Sequence, residues 1–197
     1  MNRVVGSLAV PALLLATPAL AHTGQGEASG LVHGFLHPIG GLDHVLAMVA
    51  VGLIAAQLGG RALVLVPASF LAMMALGGSL GAAGIALPFV ELGIALSVVV
   101  LGALVTLNLP LPTAAAMILV GAFATFHGYA HGAEMPAAAS GLAYGFGFVA
   151  ATALLHAAGI GIGRLAGRPG DALGRPALQV AGAGLTAAGA VLLVGAL

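Results

Sequence analysis

The sequence alternates long apolar runs with short breaks that contain charged, proline, glycine or asparagine residues. The apolar runs cover about residues 31–58, 62–84, 88–108, 112–132, 138–163 and 177–196. A helix needs about 20 apolar residues to cross a bilayer, and turn-forming or charged residues between such runs mark the connections. The pattern therefore predicts an all-α integral membrane protein, built as a six-helix transmembrane bundle.

The first 21 residues have the pattern of a secretory signal peptide. They contain one arginine, an apolar stretch and the small-x-small sequence Ala19-Leu20-Ala21, which is typical of a cleavage site. We expect cleavage after Ala21, so that residues 22–197 form a single six-span domain. His22 would then be the new N-terminus, where its amine and imidazole could chelate a metal, or it simply follows the cleavage site.

The first apolar run is too long for one straight span, because it has about 28 residues whereas a span needs about 20. On one uninterrupted helix, His33, His37 and His44 would fall on a stripe about 40° wide. Pro38 and the glycines that follow it favour a break instead. We therefore expect His33 and His37 on a short outer helix, with Asp43 and His44 at the top of the span proper.

The composition supports the membrane assignment and excludes several kinds of chemistry. Hydrophobic residues make up 61% of the chain, mean hydropathy is +1.19, and only five basic and five acidic side chains are present. Such a chain cannot coat a water-facing surface, so its surroundings are the lipid bilayer. The absence of cysteine excludes thiolate metal sites, and a net charge of zero without a basic run argues against nucleic-acid binding.

The arginines predict the orientation of the chain in the membrane. Basic residues in short loops stay on the cytoplasmic side. If the chain starts outside after cleavage, Arg61 falls in the first inner loop, and Arg164, Arg168 and Arg175 fall in the last one. Arg3 of the signal peptide is inside as well. The prediction places both mature termini on the outer side.

A second polar motif lies at the outer end of the fourth predicted span. His127, His131 and Glu134 are separated by four and three residues, so a helix would place them within about 40° on one face. Imidazole and carboxylate ligands suit a borderline divalent metal ion, and ionisable residues inside spans are functional candidates. Since the histidines and aspartate of the first run lie at the same membrane face, we expect one shared metal site. The alternative is a set of histidines that only cap helices at the membrane surface.

Two further residues are candidates for metal contact. Glu91 lies near the outer level of the third span, where it could bind metal, accept a hydrogen bond from an imidazole, or simply be favoured by the helix dipole. His156 stands alone in the inner half of the fifth span, where it could relay an ion or hydrogen-bond across helices. Met48, Met73 and Met74 are expected to fill the core and not to bind metal.

Two segments carry a family resemblance. One runs from His37 to Gly52 and reads HPIGGLDHVLAMVAVG; the other runs from Phe126 to Pro136 and reads FHGYAHGAEMP. Together they resemble the HupE/UreJ family of bacterial nickel permeases, in which the segment Ala21-His22-Thr23-Gly24 after a signal peptide is similar as well. The resemblance extends over the whole chain in length and in number of spans.

The resemblance implies inward transport of Ni²⁺, with Co²⁺ as the other candidate, to supply hydrogenase or urease maturation proteins. On this interpretation the chain is not an enzyme, has no prosthetic group and lies in the bacterial inner membrane with both mature termini in the periplasm. At matching positions the resemblance implies metal-binding roles for His37, Asp43, His44, His127, His131 and Glu134.

Two other functions would use the same kinds of ligand. An intramembrane zinc hydrolase could combine two histidines, an aspartate and a bound water, although the sequence has no His-Glu-x-x-His or Gly-x-Ser-x-Gly motif. Paired histidines on facing spans could instead bind haem. The sequence also has no nucleotide-binding P-loop, which favours a permease not driven by ATP hydrolysis in this chain.

Overall fold

The computed structural model describes residues 26–135, 141–167 and 173–197. In these ranges the chain forms seven helices and no strand: α1 Gly26–Gly40, α2 Leu42–Leu58, α3 Ala62–Ala82, α4 Val90–Leu107, α5 Thr113–Ala133, α6 Gly141–Ala166 and α7 Gly174–Gly195. The predicted signal peptide, His22, Arg3 and Arg168 lie outside the described ranges.

The helices match the predicted apolar runs. Helices α3 to α7 are each long and apolar enough to cross a membrane, and α1 with α2 adds a sixth candidate if the pair is counted as one span. The chain is therefore an all-helical, multi-pass membrane protein. The count of six depends on this pair, because α2 alone has 17 residues, which at 1.5 Å per residue span about 25 Å.

The predicted break in the first run is confirmed. Helix α1 ends at Gly40, α2 begins at Leu42, and the two helices are bent by 82°. Pro38 has no backbone N–H to continue the helical pattern, and Gly41 takes an extended conformation between the helices. Because of the bend, the histidines of this run do not form the continuous stripe that one straight helix would give.

Helix α2 is the centre of the bundle. Nine of its residues are buried, and it contacts each of the six other helices. A helix that is apolar on every side is expected in such a position. The polar residues at its first turn are therefore held at a fixed place among the surrounding helices.

Glycines let several helix pairs approach until their backbones touch. In the α3–α5 pair, a Cβ atom on Gly77 would collide with the backbone of Thr125, and one on Gly128 would collide with the backbone of Met74. Small residues at helix interfaces are the usual means of close packing in membranes, where apolar burial gives no extra attraction between helices. The α3–α5 contact is the most extensive in the described bundle.

The two ends of the bundle differ in charge. Asp43 and Glu91 lie in the first turns of α2 and α4, and Glu134 follows α5, so these carboxylates are at one end. Arg61 precedes α3 and Arg164 is in the last turn of α6, which places them at the other end. The sequence predicted this separation, and the described residues have it.

Gly77→Ala should destabilise the protein, because the added methyl group meets the Thr125 backbone and the two helices must move apart. Overpacking of this kind costs roughly 1–3 kcal/mol. Thermal unfolding of the purified protein in detergent would measure the loss. Gly184→Ala is the matched control, since nothing lies within 4 Å of a Cβ at that position and alanine is the better helix former. Equal melting temperatures for both variants would contradict the packing.

Candidate metal site

A cavity of about 430 Å³ opens at the carboxylate end of the bundle. The C-terminal ends of α1 and α5 and the N-terminal ends of α2 and α4 surround it. Its polar lining residues are His33, His37, Asp43, His44, Glu91, His131 and Glu134. The two sequence motifs, which are far apart in the chain, therefore meet at one place as predicted.

The outermost group of potential ligands consists of His37, His131 and Glu134. One ligand atom from each lies within 4.8 Å of the other two. His37 Nε2 is 3.3 Å from Glu134 Oε2, and the His37 and His131 rings are 4.7 Å apart and nearly perpendicular. The Glu134 side chain is 61% exposed and that of His37 is 33% exposed, so an ion arriving from water can reach both.

Two buried histidines extend this group into the bundle. His44 Nδ1 is 2.9 Å from His131 Nε2 and 3.0 Å from His127 Nδ1. His44 is 1% exposed and His127 is fully buried. The side chains of His131, His44 and His127 thus form a row from the cavity wall into the core, alternating between α5 and α2.

Ser97 on α4 fixes the proton positions at the inner end of this row. Its hydroxyl donates to the carbonyl of Ile94 at 2.6 Å, and it also lies 2.7 Å from His127 Nε2. Since the single hydroxyl proton is used, His127 Nε2–H must donate to the serine oxygen. His127 Nδ1 then carries a lone pair that faces His44 Nδ1, and His44 Nδ1 in turn also lies next to His131 Nε2.

This arrangement leaves buried nitrogen atoms without hydrogen-bond partners in the described structure. They are Nε2 of His44 and Nδ1 of His131. If Nδ1 of His44 is protonated, its Nε2 carries a lone pair that no donor satisfies. If Nδ1 is unprotonated, its lone pair faces that of His127 Nδ1. Most buried polar groups are hydrogen-bonded, and an imidazole lone pair with no donor is suited to a cation. The residues present therefore fit a metal ion as a bound substrate.

Asp43 lines the cavity and also forms a hydrogen bond at the start of its own helix. Its Oδ1 accepts a hydrogen bond of 2.7 Å from the backbone N–H of His44, at the start of α2. The carboxylate also lines a second cavity of about 350 Å³, where it lies with Glu91 beside the end of α7. Asp43 and Glu91 thus form the wall between two adjoining cavities, and His33 lines the first cavity as an exposed side chain.

His156 does not join the outer residues. It is buried on α6, with its ring 5.1 Å from that of Phe70, which in turn lies 6.0 Å from His127. Sequence reasoning missed both Phe70 and Ser97. The only signal for Ser97 was a hydroxyl inside an apolar span, and such hydroxyls usually bond to their own helix, as Ser69 does with Val66.

The fold and the site define a multi-pass helical membrane protein with a histidine and carboxylate cluster that opens at one end. The chain belongs to the HupE / UreJ protein family, which it matches over residues 10–192. It is similar to Protein HupE of Rhizobium leguminosarum bv. viciae, with 50% identity over 182 residues that cover 92% of this chain and 94% of that protein. No solved structure matches the chain. The family resemblance inferred from the two motifs is confirmed.

Ser97→Ala should lower the stability of the protein, because His127 Nε2–H loses its acceptor in a buried site. The expected loss is about 0.6–2 kcal/mol, from the range for hydrogen bonds between membrane helices and for unsatisfied buried donors. Thermal unfolding in detergent would measure it. Ser69→Ala is the matched control, because Ser69 makes the same kind of bond to its own helix but has no hydrogen bond to a histidine in the described structure. If both variants melt alike, the bond between Ser97 and His127 contributes nothing.

Proposed function

We propose that this protein is a secondary permease that imports a divalent transition metal ion, nickel, across the bacterial inner membrane. The observation that carries the proposal is the row of imidazoles that leads from an open, carboxylate-lined cavity into the apolar core. A cap for a helix end would need no such continuous row, and ionisable groups at this depth usually mark an ion path.

The ligands follow one another along this row. Asp43 and Glu91 at the cavity wall attract the hydrated cation by their charge. His37, His131 and Glu134 then replace part of its water shell, since their ligand atoms lie close together. His44 and His127 receive the ion next, so that imidazole nitrogen takes the place of water inside the bundle.

The membrane potential is a sufficient source of energy for inward movement. An interior negative potential of 100 mV favours entry of a dication by about 4.6 kcal/mol, twice the value for a single charge. Transport driven in this way needs neither ATP hydrolysis nor a resident prosthetic group. On this proposal the protein acts as a permease and not as an enzyme.

The choice of nickel rests on ligand chemistry together with family membership. Imidazole and carboxylate suit nickel and cobalt as well as zinc and copper, and affinity alone does not select among them. Membership of the HupE / UreJ family supports nickel as the cargo, with cobalt as the second candidate. The imported metal would supply hydrogenase or urease maturation. An intramembrane zinc hydrolase would need comparable ligands, but no observation on this chain favours it over transport.

The charge distribution supports periplasmic placement of the cavity. Arg61 and Arg164 lie at the end opposite the cavity, and basic residues in short loops stay in the cytoplasm. Cleavage after Ala21 would then leave both the mature N-terminus and the C-terminus in the periplasm. The ion would enter from that side and leave beside the arginines.

The function is tested by nickel uptake into liposomes that contain the purified protein and have an interior negative potential. Wild-type protein should accumulate radioactive Ni²⁺, whereas His44→Ala and His131→Ala should each lower the initial rate at least about tenfold, or roughly 1.4 kcal/mol. Thr186→Val is the control, because this hydroxyl bonds only within α7. Absence of uptake by the wild-type protein would refute the permease.

Calorimetric binding of Ni²⁺ to the same variants tests whether the two motifs share one ion. If His44 and His131 bind the same ion, the double variant should lose much less affinity than the two single losses added together. Independent sites would instead add within about 0.3–0.5 kcal/mol. Additive losses would therefore indicate two separate sites along the row.

The topology is tested by fusing alkaline phosphatase, which is active only in the periplasm, to two points of the chain. A fusion after Glu134 should be active and one after Arg168 inactive, because the arginines hold their loops in the cytoplasm. Matched expression of both fusions is checked by immunoblotting. The reverse pattern would move the cavity to the cytoplasmic side.

A further inference from the structure

His156 is a buried histidine with no hydrogen-bond partner in the described structure. It is 1% exposed, and neither Nδ1 nor Nε2 has an acceptor or a donor within reach. The buried side chains of Ser97, Thr152 and His127 differ in this respect, since each has at least one bond. The Tyr144 hydroxyl, near the outer end of α6, is also without a partner. An imidazole at this depth is costly to leave unsatisfied.

The position of His156 continues the path beyond the outer row. The Phe70 ring is a neighbour of both His127 and His156, with centroid distances of 6.0 Å and 5.1 Å. The backbone carbonyl of His156 itself packs against Gly52 of α2. It therefore lies among α2, α3 and α6, inward of the cavity and on the side of the arginines.

Two more potential donor atoms lie about one helical turn outward of His156. Thr152 precedes it by four residues on α6, so the two side chains share a face. The Thr152 hydroxyl is 3.8 Å from the sulfur of Met74, which stands four residues after Phe70 on α3. Met74 is part of the hydrophobic core, as the sequence predicted, and its sulfur lies beside the Thr152 hydroxyl.

We propose that His156 is the main ligand of a second, inner binding site for a borderline divalent metal ion, with the Met74 thioether and the Thr152 hydroxyl beside it. The inference rests on the proposed permease function, because an inner site has a purpose only if the ion passes through the bundle. Imidazole and thioether are ligands of transition metals and not of Mg²⁺ or Ca²⁺. The inner site has no carboxylate in the described structure, so it holds the ion less tightly than the outer cavity and passes it inward.

The test compares His156→Leu and His156→Gln with the wild-type protein in liposomes, using Ni²⁺ as the probe and measuring initial uptake over a range of concentrations. Equilibrium binding of Ni²⁺ and thermal unfolding are measured on the same preparations in detergent. Leucine removes an unsatisfied polar group and should not lower the melting temperature. Glutamine keeps hydrogen-bonding capacity but is a poor ligand for such a metal. Thr186→Val serves again as the control.

Both variants should lower the maximal uptake rate at least about tenfold, while the concentration for half-maximal uptake and the affinity at the outer cavity change less than about twofold. A wild-type rate in His156→Leu would overturn the inner site. Recovery of the rate in His156→Gln alone would show that His156 binds water, and it would also overturn the proposal.

A variant could lose both uptake rate and Ni²⁺ affinity at the outer cavity while its melting temperature stays unchanged. That result would place His156 in the outer site and would also overturn the inner site. Lack of uptake by the wild-type protein is a distinct result, since it refutes the permease and not the position of His156. If His156→Leu fails to fold, the same criteria are applied to His156→Gln.

Discussion

The contact of His44 with His127 and His131 is the interaction on which the site depends. It joins α2, which packs closely against α6, to α5, which packs closely against α3. Apart from these histidines, α2 and α5 make little contact in the described structure. Polar contacts therefore form the α2–α5 part of the seam between two tightly packed helix pairs, while apolar packing of α3 against α2 and α6 forms the rest. On the proposed function, the polar part of the seam is also where an ion would bind.

Close backbone packing on both sides explains why this seam can remain polar. Where Gly52 meets α6 and Gly128 meets α3, the backbones leave no room for a side chain, so each pair is rigid without any hydrogen bond between its helices. Membrane helices gain little from apolar burial against one another, and the pairs obtain their stability from this contact area. The histidines consequently need not stabilise the fold by themselves and can remain without full hydrogen bonding.

The sequence predicted the spans, the break after Pro38 and the meeting of the two motifs, because hydropathy, proline chemistry and charge asymmetry act locally. It could not predict the order of the side chains along the path. Helical spacing shows which residues share a face of one helix, but the relative height of two helices depends on which glycines lie opposite which backbone. For this reason Ser97, which fixes the His127 tautomer, and Phe70, which lies next to His156, were not identified from the pattern.

On the proposed function, the arrangement of charge along the path gives a physical reason why a dication is captured at the outer end, while the membrane potential sets the inward direction. Transfer of a singly charged ion into a medium of low dielectric costs of order 20 kcal/mol, and the cost rises with the square of the charge, so each lost water must be replaced at once. The His37 and His131 rings are 4.7 Å apart, the His131 and His44 rings 4.0 Å, and the His44 and His127 rings 4.5 Å. Each imidazole therefore has the next potential ligand directly beside it. Carboxylates stand only at the outer end of this described row. If the protein transports as proposed, binding is therefore strongest where the ion is captured and weaker further inward, and the membrane potential favours the inward step.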